Sequence, residues 1–540
     1  MAVRVPSATP HRRPRRHPLA VAAAAFLTAV ATAGAVATLP APAVADSTAS
    51  YTATAPNGFL WCTHVPILGA VGLERTCPAD PTTDTGSPFL VTNHVAYDTA
   101  MGLEDEDLYT LGGLHPVRIG DRLGNYTVVG KLGWGTFSTV WRAVTDGTGQ
   151  EVAVKLWRSG RSYFHMASEE NKYLLALRAH DPAGDYPIMK LRDTFMVFGA
   201  HGAHAAAVFE LMGVSLRVAL HAYLNRPEAP RGRGAPLRVV ARVAKQILEG
   251  LALAHYHRLL HTDLKLENVA LRLPSPLDAA VPLPPDVDTE ADAFWVPAGK
   301  AHSPAGRVAI IDWGNTEEMG NDYVLPYTHQ LQTESYRAPE AIVGTGASPG
   351  TDLWSVGCIV YDMAVGDYLF RPNESAPWGL AVDHLALIQD VLGSPTTGFP
   401  SWFRTAGAHA DEYFEAADEA AGPDAPLRLK GLSGHEYTPL RTLLERTTDF
   451  KDDVRAALSD FLGQMLRLDP NERPMAAELL RHEFLTRAWT AEELAVPTPE
   501  QEANAPSAGG EGAPGDADAV SVPGGVAGAV VAGVAALTGL

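Results

Sequence analysis

A lysine stands inside an apolar run, Val152-Ala153-Val154-Lys155-Leu156, and no other feature so limits what this 540-residue chain can fold into. A cation in a strand otherwise suited to a core is costly unless the fold brings partners to it. The run follows two further strand-like stretches, Tyr126–Val129 and Val140–Val144, joined by Lys131-Leu132-Gly133-Trp134-Gly135-Thr136-Phe137-Ser138. Glycines in such a turn let backbone N–H groups approach phosphates closely, with no Cβ in the way. The phosphates and a helix carboxylate are then the partners open to Lys155. In the helical stretch Ala167–Leu177 the candidates are Glu169 and Glu170, and Glu170 lies four residues before Leu174, on the face that packs inward.

Further along, His261-Thr262-Asp263-Leu264-Lys265-Leu266-Glu267-Asn268 follows an apolar helix directly. One short loop thus carries an acid to take a hydroxyl proton, a lysine to neutralise a moving phosphoryl group and an amide to coordinate a metal. Asp312-Trp-Gly314-Asn315 ends the apolar strand Val308–Ile311, a position that suits Mg²⁺, which prefers few protein oxygens plus phosphate oxygens. Tyr336-Arg337-Ala-Pro339-Glu340 and the helical Thr351-Asp352-Leu-Trp354-Ser-Val-Gly357-Cys358 complete the set. Each fragment alone has a plain reading as turn glycines, a snorkelling lysine, a capping aspartate or a surface asparagine. Five of them in one order at compatible spacings are not a coincidence.

The chain resembles a eukaryotic-type protein kinase from about Gly112 to Leu485, and within the CMGC group it resembles the SR-protein kinases. The strings that carry the likeness are His115-Pro-Val-Arg-Ile-Gly120, Lys131 to Trp141, His261-Thr-Asp263 where most kinases have His-Arg-Asp, Asp312-Trp-Gly-Asn315 and Gly366-Asp-Tyr-Leu-Phe370. His384-Leu-Ala-Leu-Ile-Gln389 departs from the diagnostic string of the related LAMMER kinases. The resemblance implies an α+β, bilobal protein-kinase fold within residues 112–486: a small β-rich N-lobe over about 126–212 and a larger α-helical C-lobe over about 213–486. It implies ATP and Mg²⁺ as cofactors. Leu132, Gly133, Gly135, Ser138, Val140 and Ala153 would surround the nucleotide, Lys155 would hold its α/β-phosphates, and Glu170 would pair with Lys155. Phe209 would be the gatekeeper, and Glu210–Met212 the hinge. Asp263 would be the catalytic base, Lys265 would meet the γ-phosphate, and Asn268 and Asp312 would hold the metal. Asp352 and a Glu340–Arg473 ion pair would be structural.

Three positions depart from the family pattern. Ser138 replaces the third loop glycine, as this branch tolerates. No arginine precedes Asp263, which removes the usual anchor for an activation-loop phosphate. Glu334 stands where the CMGC pattern has an arginine shaping the pocket after the phosphoacceptor, so a basic residue is expected there in the substrate.

A net charge of −20 excludes a polyanion binder and favours basic protein substrates, with no direct nucleic-acid binding expected. The charge is uneven: residues 1–45 carry five arginines and no acid, leaving −25 for the remainder. That leader has the layout of a secretory signal ending in Ala43-Val44-Ala45, with a transit sequence, an anchor or an Ala-rich disordered leader as alternatives. It points to secretory or organellar targeting, whereas the resemblance points to cytoplasm and nucleus. Residues 46–111 read as a low-structure extension, 273–306 as a short surface insert, 487–518 as an acidic Pro/Gly/Ala linker, and 519–540 as an uncharged apolar tail; leader and tail leave membrane association open. Asp411–Asp424 reads either as a solvated face or as a dock for basic segments. Cys62, Cys77 and Cys358 fit no disulfide framework or zinc site. Two other functions are compatible with the pattern: a pseudokinase scaffold, disfavoured because Lys155, Asp263, Asn268 and Asp312 are all present, and a kinase of this fold with organellar or secretory substrates.

Overall fold

The computed structural model describes residues 106–226, 234–273, 294, 306–392, 398–415, 422, 425–431, 437–487 and 489. The leader, nearly all of the extension with Cys62 and Cys77, most of the insert and of the acidic stretch, nearly all of the C-terminal linker and the whole tail lie outside them. Among the described residues no helix is long and apolar enough to cross a membrane.

Alternation builds the N-terminal part. Strands β1 (Arg122–Leu123), β2 (Tyr126–Trp134), β3 (Ser138–Thr145), β4 (Glu151–Trp157), β5 (Leu191–Gly199) and β6 (Gly202–Glu210) form one antiparallel sheet in the order β1-β2-β3-β4-β6-β5. In β4, Val152, Val154 and Leu156 point to one face, where they join Val128, Trp141, Phe195 and Val208 in a core that Val117 and Leu123 help to close. Ala153, Lys155 and Trp157 point to the other, toward α1 (Arg161–His180). Because both faces are covered, β4 reads as a continuous apolar run rather than an alternating one. Helix α1 buries Ala167, Glu170, Asn171, Leu174 and Leu177 at helical spacing.

The sheet leads through β7 (Met212–Ser215) into the helical part. There β7, β9 (Val269–Arg272) and β10 (Val308–Ile310) pair in the order β10-β9-β7, and β8 (Leu259–Leu260) pairs with β11 (Glu317–Glu318). Helices α2 (Leu216–Leu224) and α3 (Leu237–Tyr256) pack on these small sheets; α4 (Pro339–Val343) and α5 (Pro349–Val365) follow, α5 packing against α3, and then α6 (Leu380–Leu392), α7 (Leu440–Thr447) and α8 (Asp452–Met465). Helix α5 starts from a Ser348/Thr351 capping box with Pro349 in its first turn and stops at Gly366 in the left-handed region, φ 87°. Every α5 residue except Val365 is buried. A Cβ on its Gly357 would come within 2.9 Å of Leu466, so glycine sets how closely α5 and the end of α8 approach.

The bilobal α+β arrangement expected from the resemblance is the one the chain adopts. Of the insert, residues 273, 294 and 306 are described. Phe294, inside the segment read as a surface loop, is fully buried, its ring 5.9 Å from that of Tyr223. An aromatic side chain repays burial more than an exposed loop position would allow.

Candidate active site

The β2–β3 turn is closed by Gly135 N–H donating to the Ser138 carbonyl oxygen at 2.9 Å. A Cβ placed on Gly133 or Gly135 would meet no protein atom within 4 Å, so the chain's own packing does not demand glycine at either position. Glycine there is compatible with backbone N–H groups approaching a phosphate, which a side chain could hinder. Cross-strand pairing puts Val140 opposite Lys155 and Ala153 opposite Phe209, so all four line the α1 side of the sheet. Phe209 is buried at the back, while Leu132 and Val140 are half-buried.

Lys155 Nζ donates to Glu170 Oε2 at 2.8 Å and Oε1 at 3.1 Å, and to Asp312 Oδ1 at 3.1 Å. Glu170 is buried, whereas Glu169, the other candidate, is on the surface and pairs with Lys172. Burial works against the Lys155 charge, but the carboxylates of Asp312 and Glu170 outweigh it and hold the ammonium above the usual lysine range. In turn Lys155 holds the Asp312 carboxyl below the usual carboxylate range, against the pull of burial. Asp312 sits at φ 58°, in the left-handed region that aspartate tolerates better than most residues, which turns its half-exposed side chain toward Lys155.

Donors converge on Asp263. Thr333 Oγ1 donates to its Oδ1 at 2.6 Å, Lys265 Nζ to its Oδ2 at 2.8 Å, and Asn268 Nδ2 to its Oδ2 at 3.1 Å and its carbonyl oxygen at 2.8 Å. Lys265 Nζ also donates to Thr333 Oγ1 at 2.9 Å. With its amide nitrogen engaged this way, Asn268 has its carbonyl oxygen to offer a cation. Among the described residues no group of three or more His, Cys, Asp or Glu forms a metal cluster. A site built from Asn268 and Asp312 suits a cation whose other ligands come from phosphate and water.

The loop is held from below. Asp352, buried in the first turn of α5, accepts from His255 Nε2 and from the backbone N–H groups of His261 and Thr262, each at 2.9 Å. Those bonds hold its carboxyl below the usual range despite burial. Thr262 is strained, with φ 60° on a β-branched residue, and its Oγ1 donates to the Asn315 carbonyl oxygen at 2.6 Å. Arg473 grips Glu340 through two bonds of 2.6 and 2.9 Å, also donates to the Gly350 carbonyl oxygen, and lies over the Trp354 ring. Glu210 turns its carboxylate inward to Arg272 at 3.1 Å and to the Lys190 N–H at 3.0 Å. This leaves only its backbone, with that of Met212, for the hinge. Glu334 begins a one-turn 3-10 helix and is half-buried, with no hydrogen bond or ion pair to its carboxylate among the described residues.

The structure thus gathers Lys155, Glu170 and Asp312 in one cluster and Asp263, Lys265 and Asn268 in another, and sets Glu340, Arg473 and Asp352 beneath them. Sequence reasoning missed Thr333, the Thr262 hydroxyl, and Arg217. The Arg217 guanidinium is caged by Glu267 at 2.9 Å, Asp362 at 2.9 Å, the Tyr336 hydroxyl at 2.6 Å and the Tyr368 ring at 4.4 Å. Thr333 directly precedes Glu334, but a contact spanning 70 residues leaves no local signal.

A family model described as the protein kinase domain matches residues 126–485. The chain is 33% identical over 414 residues to a serine/threonine-protein kinase SRPK of Physarum polycephalum, covering 71% of this chain and 91% of that protein. It is 27% identical to protein kinase dsk1 of Schizosaccharomyces pombe, covering 73% and 86%, and 25% identical to human SRSF protein kinase 3, covering 71% and 90%. With its lysine, aspartates and asparagine gathered between two lobes, the chain belongs to the protein kinase domain family, as a serine/threonine protein kinase of the SR-protein kinase type.

Proposed function

We propose that the chain transfers the γ-phosphoryl group of ATP, with Mg²⁺, to serine or threonine in arginine-containing segments of basic proteins. The observation that carries this reading is the double convergence of Lys155, Glu170 and Asp312 on one side of the cleft and Asp263, Lys265, Thr333 and Asn268 on the other. Lys155, fixed by Glu170, orients the nucleotide phosphates. Asn268 and Asp312 would hold magnesium, which would supply neutralisation of phosphate charge. Asp263 aligns the substrate hydroxyl and accepts its proton, with Thr333 fixing the carboxylate rotamer, while Lys265 balances charge on the transferred group.

Activity without phosphorylation of the activation segment belongs to the same reading, because hydrogen bonds within the chain already hold that segment. Thr262 bonds Asn315, β11 pairs with β8, and Leu325 and Ala347 exchange backbone bonds of 2.8 Å in both directions. Gln332, at φ 64°, is fixed through Nε2 to Ser355 at 2.7 Å and Thr351 at 2.9 Å, and through Oε1 to the Ala338 N–H at 3.0 Å.

The half-buried acid at Glu334, whose charge also acts on Arg337, the net charge of −20 and the name of the SRSF protein kinase relative support basic substrates. A half-exposed carboxylate is worth about 1 kcal/mol to a facing cation, so arginine after the phosphorylated serine should be favoured about fivefold over alanine. A peptide array varying that position checks it. Glu334→Arg should abolish the preference, and an array in which proline is favoured and arginine disfavoured contradicts the proposed specificity.

A further inference from the structure

The tip of the glycine loop is fastened to the start of α1 by contacts outside the nucleotide cleft. The Arg158 N–H donates to the Phe137 carbonyl oxygen at 2.9 Å, and Arg158 Nη1 donates to the Thr136 carbonyl oxygen at 3.1 Å. The Phe137 ring, 46% exposed, lies 6.2 Å from the ring of Tyr163, and the Arg158 guanidinium stands 5.7 Å from that same ring. Gly160 caps α1 at φ 134°, and a Cβ there would lie 3.4 Å from the Tyr163 ring, so the close approach uses a conformation that favours glycine. Tyr163 and Glu170 are seven residues apart on α1, two turns, and therefore share a face of the helix.

We infer that Arg158 and Tyr163 form a clamp that positions the glycine loop and couples its seating over the cleft to the placement of Glu170 against Lys155. The inference rests on the cleft being the ATP site. Only Gly135-Thr136-Phe137 join β2 to β3 outside the strand pairing, and glycine gives this turn backbone freedom, so an external hold decides how often it lies closed. Arg158 and Tyr163 act through the loop and are positioning residues. Aromatic and cation–π contacts of this kind are individually modest, so the effect should appear as weaker nucleotide capture rather than as lost chemistry.

The test is steady-state kinetics on the full chain, with ATP varied at fixed basic peptide and then the peptide varied at fixed ATP, alongside thermal midpoints. Tyr163→Leu and Arg158→Ala should each raise KM for ATP about threefold to tenfold with KM for peptide unchanged. Tyr163→Phe, which keeps the ring, should retain the wild-type KM for ATP. The clamp is refuted if KM for ATP is unchanged in Tyr163→Leu and Arg158→Ala, or if Tyr163→Phe is as impaired as Tyr163→Leu. It is equally refuted if both KM values rise together with a falling midpoint, the signature of general loosening. Should the wild type transfer no phosphoryl group, the reading of the cleft fails first. Amide exchange across Thr136–Ser138 then tests the clamp separately, with faster exchange expected in Tyr163→Leu than in Tyr163→Phe, and equal exchange contradicting it.

Discussion

As the proposed base, Asp263 needs its carboxylate in one rotamer, and Thr333, Lys265 and Asn268 all donate to it. Thr333 has the shortest contact, 2.6 Å, and its removal changes no charge. Thr333→Val keeps the shape and deletes the donor. A net hydrogen bond to a charged group is worth about 1.5–3 kcal/mol, so kcat should fall about tenfold to a hundredfold with KM for ATP little changed, as steady-state kinetics will report. Lys155 was legible in the sequence because a cation in an apolar strand demands partners, and Glu170 because helical periodicity singled out the inward face. Thr333 was not, since a hydroxyl on a loop announces nothing until the fold sets Asp263 beside it.

At the scale of elements, the loop His261–Asn268 has little structure of its own and borrows its shape from α5. Asp352 satisfies two loop N–H groups, and the strained Thr262 persists because its N–H and hydroxyl are both bonded. The base of α5 is fixed in turn by Glu340 and Arg473, whose side chains are 2% and 0% exposed. Removing one partner leaves a buried charge uncompensated, so Arg473→Ala should destabilise the domain by about 3–5 kcal/mol in denaturant titrations. Replacing both residues with apolar ones of similar volume should restore part of that loss. The Glu340–Arg473 pair was expected from the family resemblance alone, because 133 residues separate its members and neither local sequence marks a burial site. Strand edges were less legible: β2 runs to Trp134, five residues beyond the expected end, because register shifts at Gly130 and Gly133 let pairing continue into the glycine turn.

For the whole molecule, buried histidines set the acid limit. Burial pushes His115 in the N-lobe down to about 3, aided by His204 and His201, and pushes His384 in the C-lobe down to about 3, aided by Arg337. Each stays neutral in the fold but titrates near 6.5 when unfolded, so between those values the unfolded chain binds more protons. Stability is therefore full above about pH 6.5 and falls as pH drops, by up to about 1.4 kcal/mol per unit for each histidine. The thermal midpoint should decline from pH 7 to pH 5, and His384→Leu should flatten part of that slope. The acidic balance remains consistent with basic substrates, while the arginine-bearing leader that opposes it lies outside the described residues. The central claim is that a transferase active without prior phosphorylation is assembled around Lys155 and Asp263. Its most direct test is intact-mass counting of phosphates on an Arg-Ser repeat peptide incubated with ATP, Mg²⁺ and the purified, unphosphorylated chain. Phosphates should accumulate with the wild type and not with Lys155→Met or Asp263→Ala; an unmodified peptide with the wild type, or equal incorporation by Asp263→Ala, would contradict the account.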